Sequence, residues 1–193
     1  MRKTWLVTGS NRGLGLATVQ AALDAGNCVM ATARDPAPLE SLQAQHPERL
    51  RLSSLDVTQP QAANEAAAAT IEAFGGIDVL VNNAGYGRLE SFETTSEVSF
   101  RDQIEVNSHG AINLVRAVLF SMRARRSGHI INIASVGSRV TTPGLAAYQA
   151  AKWALTGFTE VLAKEVSAFG VKAIALELGG TLAGGEPLGR FLR

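Results

Sequence analysis

Tyr148 and Lys152 stand four residues apart in AAYQAAKW, the only tyrosine–lysine pair at that spacing in the chain. Positions four apart on a helix share one face, about 6 Å along the axis. A phenol and an amine there would point the same way. An unperturbed phenol titrates near pH 10, too high for an effective base near neutrality. A neighbouring ammonium favours the phenolate. At about 5 Å and an effective dielectric of about 20, the attraction is roughly 3 kcal/mol. The pair is therefore a candidate acid–base group acting on an oxygen, with small alanines around it leaving room for ligands. The plain alternative is a helix face carrying a half-buried phenol and a lysine whose stem lies along it.

The elements that must position this pair are legible in the pattern of apolar runs. TWLVTG (Thr4 to Gly9), CVMATA (Cys28 to Ala33), LRLSSLDV (Leu50 to Val57), DVLVNNAG (Asp78 to Gly85), HIINIAS (His129 to Ser135) and VKAIALEL (Val171 to Leu178) read as strands. Helical patterns lie between them, near 13–25, 37–45, 60–74, 97–123 and 145–168. Continuous apolar strands imply burial on both faces, and strands alternating with helices imply right-handed crossovers. The fold class is α/β: a doubly wound parallel sheet, the Rossmann fold, of six strands, and a single domain over 1–193.

The first strand runs straight into TGSNRGLGLATVQAAL, with glycines at 9, 13 and 15 and a helix beginning at once. Such glycines permit a tight turn, close approach of backbone to a pyrophosphate, and close packing of helix on sheet. The helix start offers free N–H groups and the positive end of its dipole to phosphate. The spacing Thr8-Gly9-x-x-x-Gly13-x-Gly15 resembles the glycine motif of the short-chain dehydrogenase/reductase family.

That resemblance extends along the chain. Asp56-Val57 matches the family's aspartate against adenine, and Asn82-Asn83-Ala84-Gly85 its signature beside the cofactor. Asn107 in EVNSHG matches the asparagine linked to a proton-relay water, and Ser135 the serine that hydrogen-bonds the substrate oxygen, with Ser138 as the nearby alternative. Tyr148 and Lys152 match the acid–base pair. Asp56 also suits a helix cap ahead of TQPQ. The chain looks most like the NADP(H)-type 17β-hydroxysteroid dehydrogenase and retinol dehydrogenase-like members. The resemblance implies a catalytic set of Asn107, Ser135, Tyr148 and Lys152. It implies a cofactor set of Gly9, Ser10, Asn11, Arg12, Gly13, Leu14, Gly15, Arg34, Asp56, Val57, Asn83, Ala84 and Gly85, with Tyr148 and Lys152. Its substrates would be small carbonyls or secondary alcohols, with Tyr148 exchanging the proton and Lys152 holding the nicotinamide ribose. Helices at 97–123 and 145–168 would form a homodimer or homotetramer.

Ala33 ends the second strand, where an acidic residue would bond a free 2′-hydroxyl and repel a 2′-phosphate. Arg34, with Arg12 nearby, can grip a phosphate through charge-assisted bonds. NADP(H) is the expected cofactor over NAD(H), with Asp35 as the competing feature because it could turn toward the ribose.

The net charge of +1 offers no global field for nucleic acid or an anionic membrane. The basic run RARR (Arg123 to Arg126) closes a helix and reads as its solvated, dipole-compensating end. Cys28 stands alone in an apolar run, which suits a small buried hydrophobe in a reducing compartment. His46, His109 and His129 are not spaced as a ligand set, so no metal is expected. No signal peptide or membrane span is seen, and a cytoplasmic location is expected. The last fifteen residues, GGTLAGGEPLGRFLR, hold five glycines and no periodicity. Leu178-Gly179 stands where the family has Pro-Gly, so an irregular tail over 179–193 is expected, without the seventh strand or the substrate-covering segment. A competing function follows: a nucleotide-binding or interaction module that has lost its substrate pocket.

Overall fold

A computed structural model describes residues 2–179. The tail beyond Gly179, with the expectations placed on it, lies outside the described residues. The elements run β1 (Thr4–Thr8), α1 (Gly13–Asp24), β2 (Cys28–Ala33), a 3-10 turn (Ala37–Leu39), α2 (Glu40–Gln45), β3 (Leu50–Ser54), α3 (Pro60–Phe74), β4 (Val79–Asn82), α4 (Glu97–Ile104), a π turn (Glu105–His109), α5 (Gly110–Ala124), β5 (Gly128–Ser135), a 3-10 turn (Val136–Ser138), α6 (Ala146–Ser167) and β6 (Val171–Leu178). Every strand pair is parallel, and the order is β3-β2-β1-β4-β5-β6. Strand order reverses between β1 and β4, which places their carboxyl ends side by side at the crevice where doubly wound sheets bind ligands.

Successive strand residues face opposite sides of the sheet, and both sides are apolar. Leu6, Leu80 and Ile130 pack with Leu114, Val118 and Met122 under α3, α5 and α6. Val7, Val29 and Val81 pack with Val19 and Leu23 of α1 on the other side. Cys28 is buried, as an apolar residue would be.

Two strands stop short of their apolar runs because side chains take over their hydrogen bonding. β3 ends at Ser54, and beyond it Asp56 Oδ1 accepts from the Thr58 N–H at 3.0 Å and the Thr58 hydroxyl at 2.8 Å. β4 ends at Asn82, after which the Asn83 and Ala84 N–H groups both bond Thr8 Oγ1 at 3.0 Å. The helix expected over 97–123 forms, with the π turn as a bulge inside it.

The RARR run is more than a solvated helix end. The Arg123 guanidinium lies 4.0 Å from the Phe169 ring centroid. Arg125 donates to Asp78 Oδ1 at 3.1 Å, and Arg126 donates to the Ala168 carbonyl at 3.0 Å. The carbonyls that end α6 have no helical partner, and α5 ends close enough for Arg126 to serve one of them.

Candidate active site

The glycine loop is built by close approach. Gly9 has φ +66°, and a Cβ on it would lie 2.9 Å from Ala84 Cα. A Cβ on Gly15 would lie 2.2 Å from the Gly9 carbonyl oxygen and 2.5 Å from Asn83 Nδ2. Asn83 fills that notch: its Nδ2 donates to the carbonyls of Thr8 at 2.9 Å and Gly9 at 3.0 Å. Ser10, fully buried, donates its hydroxyl to the Val7 carbonyl at 2.8 Å. Arg12 precedes α1 in extended conformation with no side-chain cap, so the first-turn N–H groups face the crevice unserved by a capping side chain. Around Gly13, at φ +55°, no heavy atom lies within 4 Å of a Cβ position. This cradle fits a dinucleotide pyrophosphate: backbone walls, a helix N-terminus, and open space above it.

At the end of β2, Asn11 Nδ2 donates to the Asp35 carbonyl at 3.2 Å. Asp35 Oδ1 accepts from the Ala37 N–H at 3.0 Å, so its carboxylate caps the following turn. Arg12 and Arg34 are exposed at this rim. Asp56 is exposed with one oxygen engaged by Thr58, a local turn rather than a cap on α3, whose N-cap is Gln59 without a side-chain bond. Val57 is buried beneath Gly110, whose Cβ would lie 2.6 Å from Val57 Cγ2; its carbonyl accepts from Asn113 at 3.0 Å.

The tyrosine and lysine do face the same space. Lys152 Nζ lies 5.7 Å from the Tyr148 ring centroid. The lysine is 5% exposed, and its Nζ donates to the Ile133 carbonyl at 2.7 Å. Burial pushes this ammonium down to about 8, because a low-dielectric site disfavours the charged form. The alanines nearby do not simply clear space: Ala147 and Ala151 are buried and let α6 pack close to the sheet.

Glycines again make the room. A Cβ on Gly87 would meet the Tyr148 ring at 3.1 Å, and one on Gly85 would lie 2.5 Å from Asn107 Oδ1 and 3.5 Å from Lys152 Nζ. Asn107, 1% exposed in the π turn, donates through Nδ2 to the carbonyls of Tyr86 at 2.7 Å and Gln103 at 2.8 Å. Its Oδ1 accepts from the Tyr86 N–H at 3.1 Å. One amide proton is thus spent on Tyr86, in the wall beside Lys152, and the other on Gln103 of α4.

Ser135 ends β5 half-buried, its Oγ accepting from the Gly137 N–H at 3.0 Å. Ser138 is buried and donates to the Lys152 carbonyl at 3.1 Å. Two contributors escaped the sequence reading, and Thr8, read there only as the start of the glycine motif, gains a structural role. Thr8 ties the ends of β1 and β4, as above. Gln149 donates to the Val140 carbonyl at 3.1 Å and accepts from the Thr142 N–H at 2.9 Å. Trp153 Nε1 donates to the Gly137 carbonyl at 2.8 Å. The three histidines sit in separate elements, and no cluster of three or more potential metal ligands occurs among the described residues. No described helix is long and apolar enough to cross a membrane.

Residues 3–185 match the family model of short chain dehydrogenases. An oxidoreductase of Botryotinia fuckeliana, BOA17, is 46% identical over 181 residues, which are 93% of this chain and 66% of the relative. A short-chain dehydrogenase from Streptomyces avermitilis superposes with a TM-score of 0.90 at 41% identity, covering 96% of this chain and 69% of that one. A metagenomic short-chain oxidoreductase solved in complex with NADP gives a TM-score of 0.86 at 31% identity, covering 93% and 83%. The chain spans 56% to 66% of the length of the first curated relatives it matches.

Proposed function

The chain belongs to the short-chain dehydrogenase family, and on that premise we propose that it is an NADP(H)-dependent oxidoreductase of carbonyls and secondary alcohols. The observation that carries the reading is the buried Lys152 ammonium beside the Tyr148 ring at 5.7 Å, on the crevice that also holds the glycine cradle. When bound, the nicotinamide would supply or take up the hydride.

Tyr148 gives its phenolic proton to the substrate oxygen in reduction and takes it back in oxidation. Lys152 has one N–H on the Ile133 carbonyl and two left for the nicotinamide ribose and for stabilising phenolate. Ser135 accepts from Gly137, so its own O–H is free to donate to the same substrate oxygen. Asn107 holds the 85–87 wall against Lys152. Gly9, Ser10, Asn11, Arg12, Gly13, Leu14 and Gly15 shape the pyrophosphate cradle with Asn83, Ala84 and Gly85. Asp56 and Val57 flank the adenine end.

The choice of NADP(H) is supported by Arg34 and Arg12 on the rim, and by the commitment of the Asp35 carboxylate to Ala37. The NADP-bound neighbour points the same way. Exposed Phe120 and Val161 support pairing through α5 and α6 in a homodimer or homotetramer. NADPH consumption with a panel of ketones, and NADP reduction with secondary alcohols, tests the reading. Binding of NADPH without turnover of any of them would establish the binding module in its place.

A further inference from the structure

We propose that Trp153 is a positioning residue for Ser135, acting through Gly137; the inference rests on the role given to Ser135 above. Trp153 is 50% exposed, so its indole could hydrogen-bond water at little cost. Instead Nε1 donates inward to the Gly137 carbonyl at 2.8 Å. On its other side, the same glycine donates its N–H to Ser135 Oγ at 3.0 Å.

Gly137 is therefore held from both of its peptide groups, one by the serine and one by the helix that carries Tyr148 and Lys152. Its position is tight: a Cβ there would lie 3.2 Å from Gln149 Nε2 and 3.3 Å from Ser135 Oγ. Gln149, Lys152 and Trp153 belong to one turn of α6, and all three grip the segment that follows Ser135. The Lys152 carbonyl accepts from Ser138, and Gln149 bonds Val140 and Thr142.

The chemical consequence is directional. A serine hydroxyl has one proton and two lone pairs. With the Gly137 N–H fixed on one lone pair, the O–H is turned outward, and the accepted bond strengthens it as a donor. Loss of the indole donor frees the 137–138 peptide, and through the Gly137 Cα it loosens the adjoining 136–137 peptide whose N–H sets the serine rotamer.

A double-mutant cycle on the full chain tests this, with NADPH and a ketone it reduces. Trp153→Phe keeps the ring and removes the donor. It should lower kcat roughly tenfold, the worth of one hydrogen bond, with the NADPH Kd unchanged. In a Ser135→Ala background the same change should alter kcat by less than about twofold, because the group it positions is gone. An equal loss in both backgrounds, or no loss in the first, overturns the inference while leaving the oxidoreductase reading intact. A Ser135→Ala variant with full kcat overturns the role of Ser135 and this inference together. Gln149→Met, which removes another side-chain support of the segment after Ser135, is the second variant and should behave alike. Amide exchange at Gly137 needs no turnover: it should quicken about tenfold in Trp153→Phe, and unchanged exchange also overturns the inference.

Discussion

The hydroxyl of Ser138 donates to the main-chain carbonyl of Lys152 at 3.1 Å, so Ser135 at the end of β5 and Ser138 just beyond it are chemically unequal. Ser135 keeps its proton for a ligand, whereas Ser138 spends its own on α6. Ser135→Ala should therefore lower kcat by about a hundredfold or more, the usual loss for a donor to a developing oxyanion. Ser138→Ala should leave kcat within a few-fold and cost about 1 kcal/mol of stability through a buried bond. Steady-state rates and denaturant unfolding of both variants check the contrast, and a reversed order would assign the role to Ser138.

Tyr148→Phe removes the phenolic proton and nothing that shapes the fold. Turnover should fall by at least about a hundredfold to ten-thousandfold, the range for a lost general acid–base group. NADPH affinity should change little. A variant that keeps most of its activity would end the assignment of Tyr148.

Cofactor choice rests on one exposed rim. Arg34→Ala should weaken NADPH binding by about tenfold while leaving NADH binding nearly unchanged, since a charge-assisted bond to phosphate contributes about 1.5–3 kcal/mol. Fluorescence titration with both cofactors decides it. Equal or tighter NADH binding by the parent chain would refute the preference.

Most of the scaffold could be read from the chain because strands buried on both faces leave long apolar runs, and the glycine and Tyr–Lys spacings are local. What the spacing could not convey is which polar groups are already used. Asp56 and Asp35 look alike on paper as free carboxylates, yet each caps its own turn. Asn107 looks like a free amide but has both protons on carbonyls. Gln149 and Trp153 were invisible for another reason: their partners lie on the segment preceding α6, and no period marks such a contact. Asn132 gave a signal that went unused, and Asn82 was read only as part of the NNAG signature. Both are buried in strands, where asparagine is disfavoured, and they bond each other at 2.9 Å.

The glycine loop offers a paired test of space against backbone strain. Gly15→Ala puts a methyl 2.2 Å from the Gly9 carbonyl oxygen, so the loop must shift. Stability should drop by about 1–3 kcal/mol, as for an overpacked site, and cofactor affinity should fall with it. Gly13→Ala meets no protein atom, but its φ of +55° costs an L-residue about 1–2 kcal/mol. Thermal unfolding should thus show both variants weakened, with Gly15→Ala losing NADPH binding more severely. Equal binding by Gly15→Ala and the parent would contradict the cradle.

Lys152 links the site to pH, and the sign follows from its burial. Its ammonium is held down to about 8 in the fold against about 10.4 in an unfolded chain. Between those values the unfolded chain binds a proton that the fold does not, so stability rises with pH across that window. Below about 8 both states are protonated, and the fold bears the whole cost of a buried charge, roughly 3 kcal/mol at 1.36 kcal/mol per unit. Lys152→Met removes this dependence. Denaturant unfolding without cofactor should therefore show the parent gaining on the variant from pH 8 to 10, while catalysis moves the other way. As Lys152 loses its charge above about pH 8, the cation beside the Tyr148 ring is lost, and the oxidation rate should stop rising with pH. A stability difference that stays flat from pH 7 to 10 would mean that the ammonium is not buried in solution.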